Sequence, residues 1–529
     1  MLYDLVLKGG LVVDGTRAKP RKANVCVKDG LIAAITEENV QGVQELDVTG
    51  QVVSPGFIDI HSHADDAPLV DYIVDSKASQ GVTTELTGNC GEGILPTNPA
   101  RWDEANDYIR TELNFNLNGI CGACLDVNEY AERAQANGSP LNYGILVGHG
   151  NLRLACMGFV NRDPDEAEMK LLEDTLEEQL RQGAFGMSLG LIYPPSAFSS
   201  KDELVRLAKV VKKYDGIVSV HMRNEGPRVF EAVDEMIAIA EESGVHVQIS
   251  HLKLMGKPQW GRSAELIRKI ADARARGVHI TCDQYPFNAS STGLAALVPN
   301  WAHEGGSAKM LERLADPTEE LRRGIAENME NRGGAHTIMP INTHGHHPDW
   351  EGRFISDIAA ELGMDTVSTV IKALLDCDVV VNSVYFCMSE QDVLQIMQQD
   401  FVCVGSDGYN NSYEQKYTNM NPHPRSFGTF PQFFETVREH NLMPLEDAVY
   451  KVTALPAAFA GLTNRGILKE GYAADITVFD AEKIKNRSTY VNSKVRPAGI
   501  GHVIVGGEVV YEHDALTGAR PGKVLRHGH

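Results

Sequence analysis

The 529-residue sequence has no run of eighteen apolar residues and comparatively few basic side chains. The first absence argues against a membrane span. The opening stretch MLYDLVLKGGLVVDG also lacks the basic and long apolar regions of a signal peptide. Lysine and arginine number 49 against 71 aspartate and glutamate residues, which gives a net charge of −22. A chain this acidic is poorly suited to nucleic acids and anionic membranes, so local cations must hold any anionic ligand.

Cysteine is also scarce, with nine irregularly spaced residues between Cys26 and Cys403. This odd number argues against a disulfide framework and for a reducing compartment, so we expect a cytoplasmic protein. The CGAC motif at Cys121 to Cys124 has no second pair and no thioredoxin-like context, and we interpret it as structural. Hydrophobic residues make up 43% and charged residues 23% of the chain, which excludes disorder, collagen and coiled coil as the main state.

The middle of the chain alternates strand-like apolar runs with amphipathic stretches, including the helices predicted from Glu166 to Gln182, Asp202 to Tyr214 and Arg262 to Arg276. This alternation, eight times over, predicts an α/β fold, a (β/α)8 TIM-like barrel. A ninth run, VVVNSVYFCM, leaves the seventh strand open. The eight runs are GFIDIHSH, VTTELTGN, YGILVGHG, AFGMSLGL, GIVSVHMR, HVQISHLK, HITCDQYP and FVCVGSDG.

Both ends of the chain consist of short apolar runs broken by turn residues, such as NVCVKDGLIAAI and HVIVGGEVVYE. We expect residues 1–53 and 465–529 to form one small β-sandwich domain, because chain termini often lie close together. Residues 54–464 are then the barrel domain. Periodicity weakens over residues 288–348, which is too long for an ordinary barrel loop. This segment is predicted to be an insertion over the barrel mouth.

Several residues that can bind metals follow strand-like runs directly. His61 and His63 are two apart on one run, and period-two geometry directs both side chains to the same face. The carboxyl ends of barrel strands open on one face, so residues distant in sequence converge there. A mixed cysteine and histidine set favours zinc, with one position left for water. The set is His61, His63, Cys90, His221, His251 and Asp407.

Each of these residues alone has an ordinary structural interpretation. A single histidine on an apolar run is usually a satisfied core residue, a buried free cysteine is usually inert, and the aspartate of GSDG can cap a turn. The cluster HGHH at His344 to His347 is interpreted as a solvated loop, and no G-x-S-x-G nucleophile motif is present. It is the combination at predicted strand ends that indicates a metal site.

The segment VVSPGFIDIHSHAD resembles the opening signature of the amidohydrolase superfamily. Further blocks resemble the D-aminoacylase (N-acyl-D-amino-acid deacylase) family and extend the likeness over nearly the whole chain. These blocks are GNCG, SLGLIYPPSAFSS, VHMRNEG, QISHLK, YPFNASST, GSDG, HPRSFGTFP and GARPGKVLR.

The resemblance implies a role for each matching residue. Cys90, His221 and His251 match the ligands of a tightly bound zinc ion. His61 and His63 match the histidines beside it, which with the cysteine can form a second, weaker site. Asp407 matches the catalytic acid/base. The residues implied to hold the substrate's α-carboxylate and acyl carbonyl are Tyr193, Lys253, Tyr285 and Ser291, with Arg223 at the same mouth.

The resemblance therefore implies zinc-dependent hydrolysis of a small-molecule N-acyl-D-amino acid. The alternatives are hydrolysis of another amide, cyclic or hydrophobic, and a non-catalytic barrel that serves as a binding protein. Retention of all six site residues argues against the last. Apolar, D-Glu and D-Asp substrates all remain open. Lys257, Arg262 and Arg353 are candidate cations for an acidic side chain, although surface solvation is the default for each.

Overall fold

The computed structural model describes residues 2–112, 126–414, 416–417 and 421–528 of the chain. The CGAC motif lies outside these residues. The strands are β1 Tyr3–Val12, β2 Arg21–Lys28, β3 Leu31–Thr36, β4 Gly42–Asp47, β5 Val52–Pro55, β6 Phe57–Asp59, β7 Val82–Thr87, β8 Asn142–Ile145, β9 Val147–Gly148, β10 Gly186–Gly190, β11 Ile217–His221, β12 His246–Ile249, β13 Ile280–Gln284, β14 Ser290–Gly293, β15 Ile338–Asn342, β16 Asn382–Tyr385, β17 Val402–Val404, β18 Ile476–Phe479, β19 Ile500–Val505, β20 Glu508–Glu512 and β21 Ala515–Leu516.

Helices fill most of the intervals between these strands. The α-helices are α1 Trp102–Glu112, α2 Val127–Asn137, α3 His149–Met157, α4 Glu166–Arg181, α5 Lys201–Lys213, α6 Val229–Ser243, α7 Ser263–Ala275, α8 Gly306–Ala315, α9 Glu319–Asn331, α10 Ile355–Leu362, α11 Thr366–Asp376, α12 Glu390–Met397, α13 Arg425–His440, α14 Leu445–Val452 and α15 Ala454–Ala460. Short 3-10 helices occur at Ala78–Gln80, Pro99–Arg101, Ser196–Phe198, Lys257–Gln259, Leu294–Leu297, Asn300–His303 and Ala335–Thr337. None of the helices in the described ranges combines the length and apolarity that a membrane span requires.

The central strands pair in parallel and coincide with the eight apolar runs of the sequence. One sheet runs β6-β7-β8, and the other runs β9-β10-β11-β12-β13-β17. Only Leu146 separates β8 from β9. The last strand returns to the first, where the Asp407 amide donates to the His61 carbonyl (2.8 Å) and the His63 amide donates to the Gly408 carbonyl (3.0 Å). This pairing brings the carboxyl ends of all the parallel strands to one face.

The helices bury one apolar face against the strands, as helix α5 shows. The Ser200 side chain caps its first turn by accepting a hydrogen bond from the Glu203 amide. Leu204, Leu207 and Val211 recur at three- and four-residue spacing and are fully buried. Truncating one such leucine to alanine would cost about 2–5 kcal/mol of stability. The Glu203 side chain contacts Arg153 and His149 and does not return a hydrogen bond to the Ser200 backbone.

Strands from both ends of the chain share one nine-stranded sheet, ordered β21-β20-β19-β18-β5-β1-β2-β3 with β4 beside β1. Strand β5 joins the two ends, because it pairs with β1 on one side and with β18 on the other. Only Gly56 separates β5 from barrel strand β6. The hydrogen bonds thus connect the two ends in one sheet. The arrangement as a sandwich of two sheets stays a prediction.

A long segment lies between strands β13 and β17. It contains helices α8 to α12 and a three-stranded antiparallel sheet ordered β14-β16-β15. Strand β16 is the apolar run that competed for a place in the barrel, and its partners are β14 and β15. The secondary structure between β13 and β17 extends beyond residue 348, to helix α12. HITCDQYP supplies the seventh parallel strand.

Candidate active site

The structure brings all six sequence-predicted metal and acid/base residues together at the carboxyl ends of the parallel strands. All six side chains are buried, with His61 at 0% exposure. Cys90, His251 and Asp407 have positive φ values of 56°, 36° and 52°. Non-glycine residues rarely adopt this backbone conformation, which is found at sites where the surrounding structure imposes it. The strand ends are therefore shaped to direct these three side chains inward.

Four of these side chains surround one point, with each residue offering one ligand atom. Cys90 Sγ lies 3.3 Å from His61 Nε2 and 3.5 Å from His251 Nε2. Asp407 Oδ1 lies 3.2 Å from His61 Nε2. Tetrahedral zinc, with bonds of about 2.0 Å to nitrogen and 2.3 Å to sulfur, places its ligand atoms roughly 3.5 Å apart. The separations fit such an ion.

His221 extends this cluster on the other side. Its Nδ1 lies 2.9 Å from His251 Nε2, and its Nε2 lies 3.6 Å from Glu225 Oε2. Glu225 Oε1 is 3.0 Å from His251 Nδ1. A second group of potential ligand atoms is thus formed by His221, Glu225 and His251. Sequence reasoning missed Glu225, although it lies in the quoted block VHMRNEG.

The charges in the cluster also suit a cation. Burial opposes ionisation of the Cys90 thiol, but the His61 and His251 imidazoles outweigh it and hold the pKa of Cys90 well below its ordinary value. Burial likewise disfavours a charged His61, yet Asp283, Cys90 and Asp407 raise its pKa well above 6.5. Anionic sulfur and carboxylate donors among imidazoles therefore form a site that a divalent cation can neutralise.

The Asp283 carboxylate contacts two histidines of the cluster, His61 and His251. Its Oδ1 lies 3.0 Å from His61 Nδ1 and accepts a hydrogen bond from the His251 amide (2.9 Å). Gln248 donates to its other oxygen (2.8 Å). Because Nδ1 of His61 is occupied, Nε2 points into the cluster, as in many metal sites. Asp283 was not predicted, although it lies in the run HITCDQYP, one residue before strand β13 ends.

Both oxygens of Asp407 contact charged or polar side chains. Oδ2 lies 2.7 Å from Nη1 of Arg425, and Oδ1 lies 3.0 Å from Nε2 of His63. Burial would raise the pKa of Asp407, but Arg425, His61 and His251 outweigh it and hold that pKa well below 3.8. Asp407 is therefore an ionised carboxylate. Arg425, the first residue of helix α13, is a third residue that sequence reasoning missed, in the block HPRSFGTFP.

The cluster opens into a cavity of about 430 Å³. Its walls include residues of the long segment between β13 and β17, and helix α9 forms one side. All five residues predicted to contact substrate line this cavity: Tyr193, Lys253, Tyr285, Ser291 and Arg223.

These five side chains differ in the donors they have available. Lys253 Nζ lies 2.6 Å from Glu225 Oε1 and 2.7 Å from His251 Nδ1. The Tyr285 hydroxyl is buried without a hydrogen-bond partner among the described residues, so it can donate to a ligand. Tyr193 Oη pairs with Thr292 Oγ1 at 3.0 Å, and Ser291 donates to a backbone carbonyl.

Arg223 is engaged differently. One guanidinium nitrogen contacts Glu235 at 2.9 Å, and the other two donate to the carbonyls of Ala197 and Ser199. All three nitrogens therefore have partners within the wall. This arrangement favours a role for Arg223 in shaping the mouth.

Other sequence candidates lie away from the cluster. In HGHH, His347 stacks on Trp350 with ring centroids 3.6 Å apart, and its Nε2 lies 2.7 Å from Asp376. Arg262 and Arg353 pair with Glu265 and Glu361. Among the residues that line the cavity, none is Lys257, Arg262 or Arg353.

The chain is similar to known proteins over nearly its whole length. Residues 52–510 match the model of the amidohydrolase family. The chain is 36% identical over 526 residues to N-acyl-D-glutamate deacylase of Alcaligenes xylosoxydans xylosoxydans, covering 99% of this chain and 96% of the relative. The chain belongs to the amidohydrolase family and, within it, to the D-aminoacylase group. It is a metal-dependent amidohydrolase.

Solved structures show the same relationship. N-acyl-D-glutamate deacylase from Bordetella bronchiseptica, complexed with zinc and a phosphonate mimic of the tetrahedral intermediate, has a TM-score of 0.82 at 33% identity, covering 99% of this chain and all of that one. A D-aminoacylase, studied for one-metal activation and second-metal attenuation of its binuclear centre, has a TM-score of 0.81 at 32% identity over 99% of this chain and all of that one. The chain thus has the amidohydrolase TIM-barrel fold.

Proposed function

We propose that the protein hydrolyses the amide bond of N-acyl-D-amino acids, giving a carboxylate and a free D-amino acid. The observation that carries the proposal is the position of Asp407. It is an ionised, buried carboxylate that lies 3.2 Å from His61 Nε2, within a cysteine–histidine cluster at the base of a substrate-sized cavity. The similarity to N-acyl-D-glutamate deacylase over 99% of the chain supports the D-configured substrate.

Cys90, His221 and His251 would hold a tightly bound zinc ion in this cluster. His61 and His63 would contribute to a second, weaker site that shares Cys90. The contact of 3.3 Å between Cys90 Sγ and His61 Nε2 supports the shared ligand. A bound zinc ion would supply Lewis acidity, which lowers the pKa of water and polarises an amide carbonyl.

Asp407 acts as the base of the reaction and then as the acid. Its carboxylate takes a proton from water as the water oxygen attacks the acyl carbonyl. Tyr193 at the cavity wall donates to the oxygen that becomes negative in the tetrahedral intermediate. The C–N bond then breaks, and Asp407 returns the proton to the leaving amine. Carbon–oxygen bond formation and amine departure thus use one shuttled proton.

Binding of the α-carboxylate falls to donors on the same wall. Lys253 supplies a cation, and the buried Tyr285 hydroxyl supplies a hydrogen bond. Ser291 would add a second one by rotating its hydroxyl away from the Ser383 carbonyl. Charge-assisted contacts are strong and directional, so they fix which face of the Cα carbon the acylamino group occupies. Glu225 keeps Lys253 in place and also faces His251, which links the carboxylate site to the metal ligands.

We also propose a division of the chain into parts. Residues 1–53 and 465–529 form the small β-domain, 54–464 form the catalytic barrel domain, and 288–348 act as a lid within it. Cavity-lining residues such as Trp301 and Asn328 support the lid. The free thiols among the described cysteines, including Cys26 and Cys403, support a cytoplasmic location.

Hydrolysis of paired N-acetyl-D- and N-acetyl-L-amino acids by the zinc-loaded enzyme tests the function. Detection of free amine with D-methionine, D-leucine, D-glutamate and D-aspartate derivatives, and none with their L-enantiomers, is the expected result. Turnover of the L-series alone, or of cyclic amides alone, would overturn the proposal.

A further inference from the structure

Among the described residues of the cavity wall, Arg332 is a buried arginine whose guanidinium has no carboxylate partner. Arg332 follows helix α9 directly, is 9% exposed, and lines the same cavity as Cys90 and Asp407. Its Nη1 donates to the Asn328 carbonyl at 3.3 Å, and its guanidinium lies 5.6 Å from the Tyr385 ring centroid. In the part of the chain that the structure describes, Arg332 forms no ion pair with aspartate or glutamate.

The other cations of this wall are engaged or exposed. Lys253 pairs with Glu225 at 2.6 Å, Arg425 pairs with Asp407 at 2.7 Å and Arg223 pairs with Glu235 at 2.9 Å. Arg228 is exposed to solvent. Arg332 is therefore a buried cation of this wall without an anionic partner among the described residues. A buried guanidinium without a counter-charge is costly, and an anionic ligand would remove that cost.

The position of Arg332 places it near the part of the wall assigned to the substrate. The carbonyl of the preceding residue, Asn331, packs so closely on Gly256 that an added β-carbon there would lie 2.7 Å from it. Gly256 follows the Lys253 loop. Tyr385, under the guanidinium, pairs in the small sheet with Ser290, which lines the cavity. Arg332 therefore faces the cavity between the Lys253 loop and strand β14.

The contact with Asn328 also has a purely structural interpretation, since a cation stabilises the C-terminus of a helix. That contact uses one of five N–H donors of the guanidinium. The remaining donors form a planar fork that matches a carboxylate. The net charge of −22 opposes the approach of any anion, so a doubly charged substrate needs a second local cation besides Lys253.

We propose that Arg332 binds a carboxylate on the side chain of the substrate, so that N-acyl derivatives of D-glutamate and D-aspartate are the preferred substrates. The inference rests on the proposed hydrolysis of N-acyl-D-amino acids and names the substrate class within it. Lys253 holds the α-carboxylate, and Arg332 holds the second one. The length of the side chain then decides between the two acidic substrates.

The test compares kcat/KM for N-acetyl-D-glutamate, N-acetyl-D-aspartate and the nearly isosteric neutral N-acetyl-D-glutamine. We expect the wild-type enzyme to prefer an acidic substrate over D-glutamine by at least about 10-fold. In Arg332→Met we expect the ratio of acidic to neutral kcat/KM to fall to near unity. The kcat/KM for the acidic substrate should fall by about 10- to 100-fold, mostly through a higher KM. The kcat/KM of this variant for N-acetyl-D-glutamine should stay within about 3-fold of the wild-type value. The ratio is measured in one preparation, so partial unfolding cancels.

Arg228→Met is the matched control, because it removes the same charge from an exposed position on the same wall. It should keep the wild-type ratio. A wild-type ratio near unity, equal losses on acidic and neutral substrates in Arg332→Met, or collapse of the ratio in Arg228→Met would each overturn the role of Arg332 while leaving the deacylase function intact.

Failure of all three substrates with turnover of N-acetyl-D-methionine would overturn the acidic preference, whereas failure of N-acetyl-D-methionine as well would contradict the proposed function. Titration calorimetry of N-acetyl-D-glutamate and N-acetyl-D-glutamine against wild type and Arg332→Met then still decides the binding claim. Tighter binding of the glutamate derivative that is lost in the variant supports Arg332, and equal binding of both compounds overturns it.

Discussion

Nη1 of Arg425 lies 2.7 Å from Oδ2 of Asp407, and both side chains are buried. The other carboxylate oxygen lies 3.0 Å from His63 Nε2. Arg425 stabilises the ionised form of Asp407 against the cost of burial. The pair therefore determines at what pH the proposed base is ready to accept a proton.

Replacing Arg425 by methionine should shift the acidic limb of the kcat/KM profile to higher pH. Burial already raises the pKa of Asp407, and removing the Arg425 charge leaves less to oppose it. The base is then protonated over a wider acidic range, so activity is lost earlier as pH falls. A pH–rate profile measures the shift. Glu439→Gln, an exposed change on the same helix, is the control, and an unmoved acidic limb in Arg425→Met would contradict this role.

Asp407→Asn should keep bound zinc and lose turnover. The amide preserves the shape of the side chain but cannot accept the proton, and proton transfer by a positioned group contributes roughly 10²- to 10⁴-fold. We expect kcat to fall by about that factor while zinc content, measured by elemental analysis, stays at the wild-type level. Near-normal kcat in a zinc-loaded variant would remove Asp407 from the mechanism.

Asp283→Asn should weaken metal binding without abolishing the fold. The carboxylate lies against His61 Nδ1 and the His251 amide, and loss of such partners typically costs 10- to 100-fold in metal affinity. Competition with a chelator measures the affinity, and added zinc should restore activity. Asp392→Asn is a matched control, since Asp392 is a buried carboxylate that accepts from the Gly261 amide, and it does not line the cavity. Equal zinc affinity in Asp283→Asn and wild type would refute the prediction.

The buried, neutral state of His303 should make the free energy of unfolding smaller at acidic pH. Burial lowers the pKa of His303 from 6.5 to about 4, so the folded protein keeps it neutral while the unfolded chain protonates it. Its stabilising contribution is complete above pH 6.5 and is lost as pH falls toward 4, by about 2 kcal/mol at pH 5. Urea unfolding at pH 7 and pH 5 measures this loss. His303→Gln should show a smaller fall than wild type, and parallel curves would contradict the assignment.

The apolar runs of the sequence were sufficient to predict the parallel strands and the ligand-type residues that follow them. Each of the eight apolar runs contains a parallel strand, and a ligand-type residue at the end of a run, such as Cys90 or His221, reaches the common face because parallel strands share one direction. Because all parallel strands end on one face, these residues could be placed together without predicting the loops between the strands.

The rest depended on tertiary packing. Asp283 lies inside strand β13, and its partners His61 and His251 are distant in sequence, so no local pattern connects the three residues. Arg332 lies at the C-terminal end of a helix, where the sequence indicates a helix-stabilising cation as readily as a binding group. Arg425 begins a helix, and its partner Asp407 precedes it by eighteen residues. The run containing Asn382–Tyr385 is apolar like a barrel strand, and only its antiparallel partners distinguish it.

Strand β5 has a consequence for biosynthesis. Its two neighbours in the sheet, β1 and β18, are separated along the chain, and about 420 residues lie between Pro55 and Ile476. At about 5–20 residues per second, a ribosome needs roughly 20–80 s to make that stretch. During this time the apolar edge formed by Val52 and Val53 lacks its second partner. Nascent chains therefore carry an open strand edge until synthesis is nearly complete, which makes slow translation and high expression temperature the conditions under which this protein would aggregate.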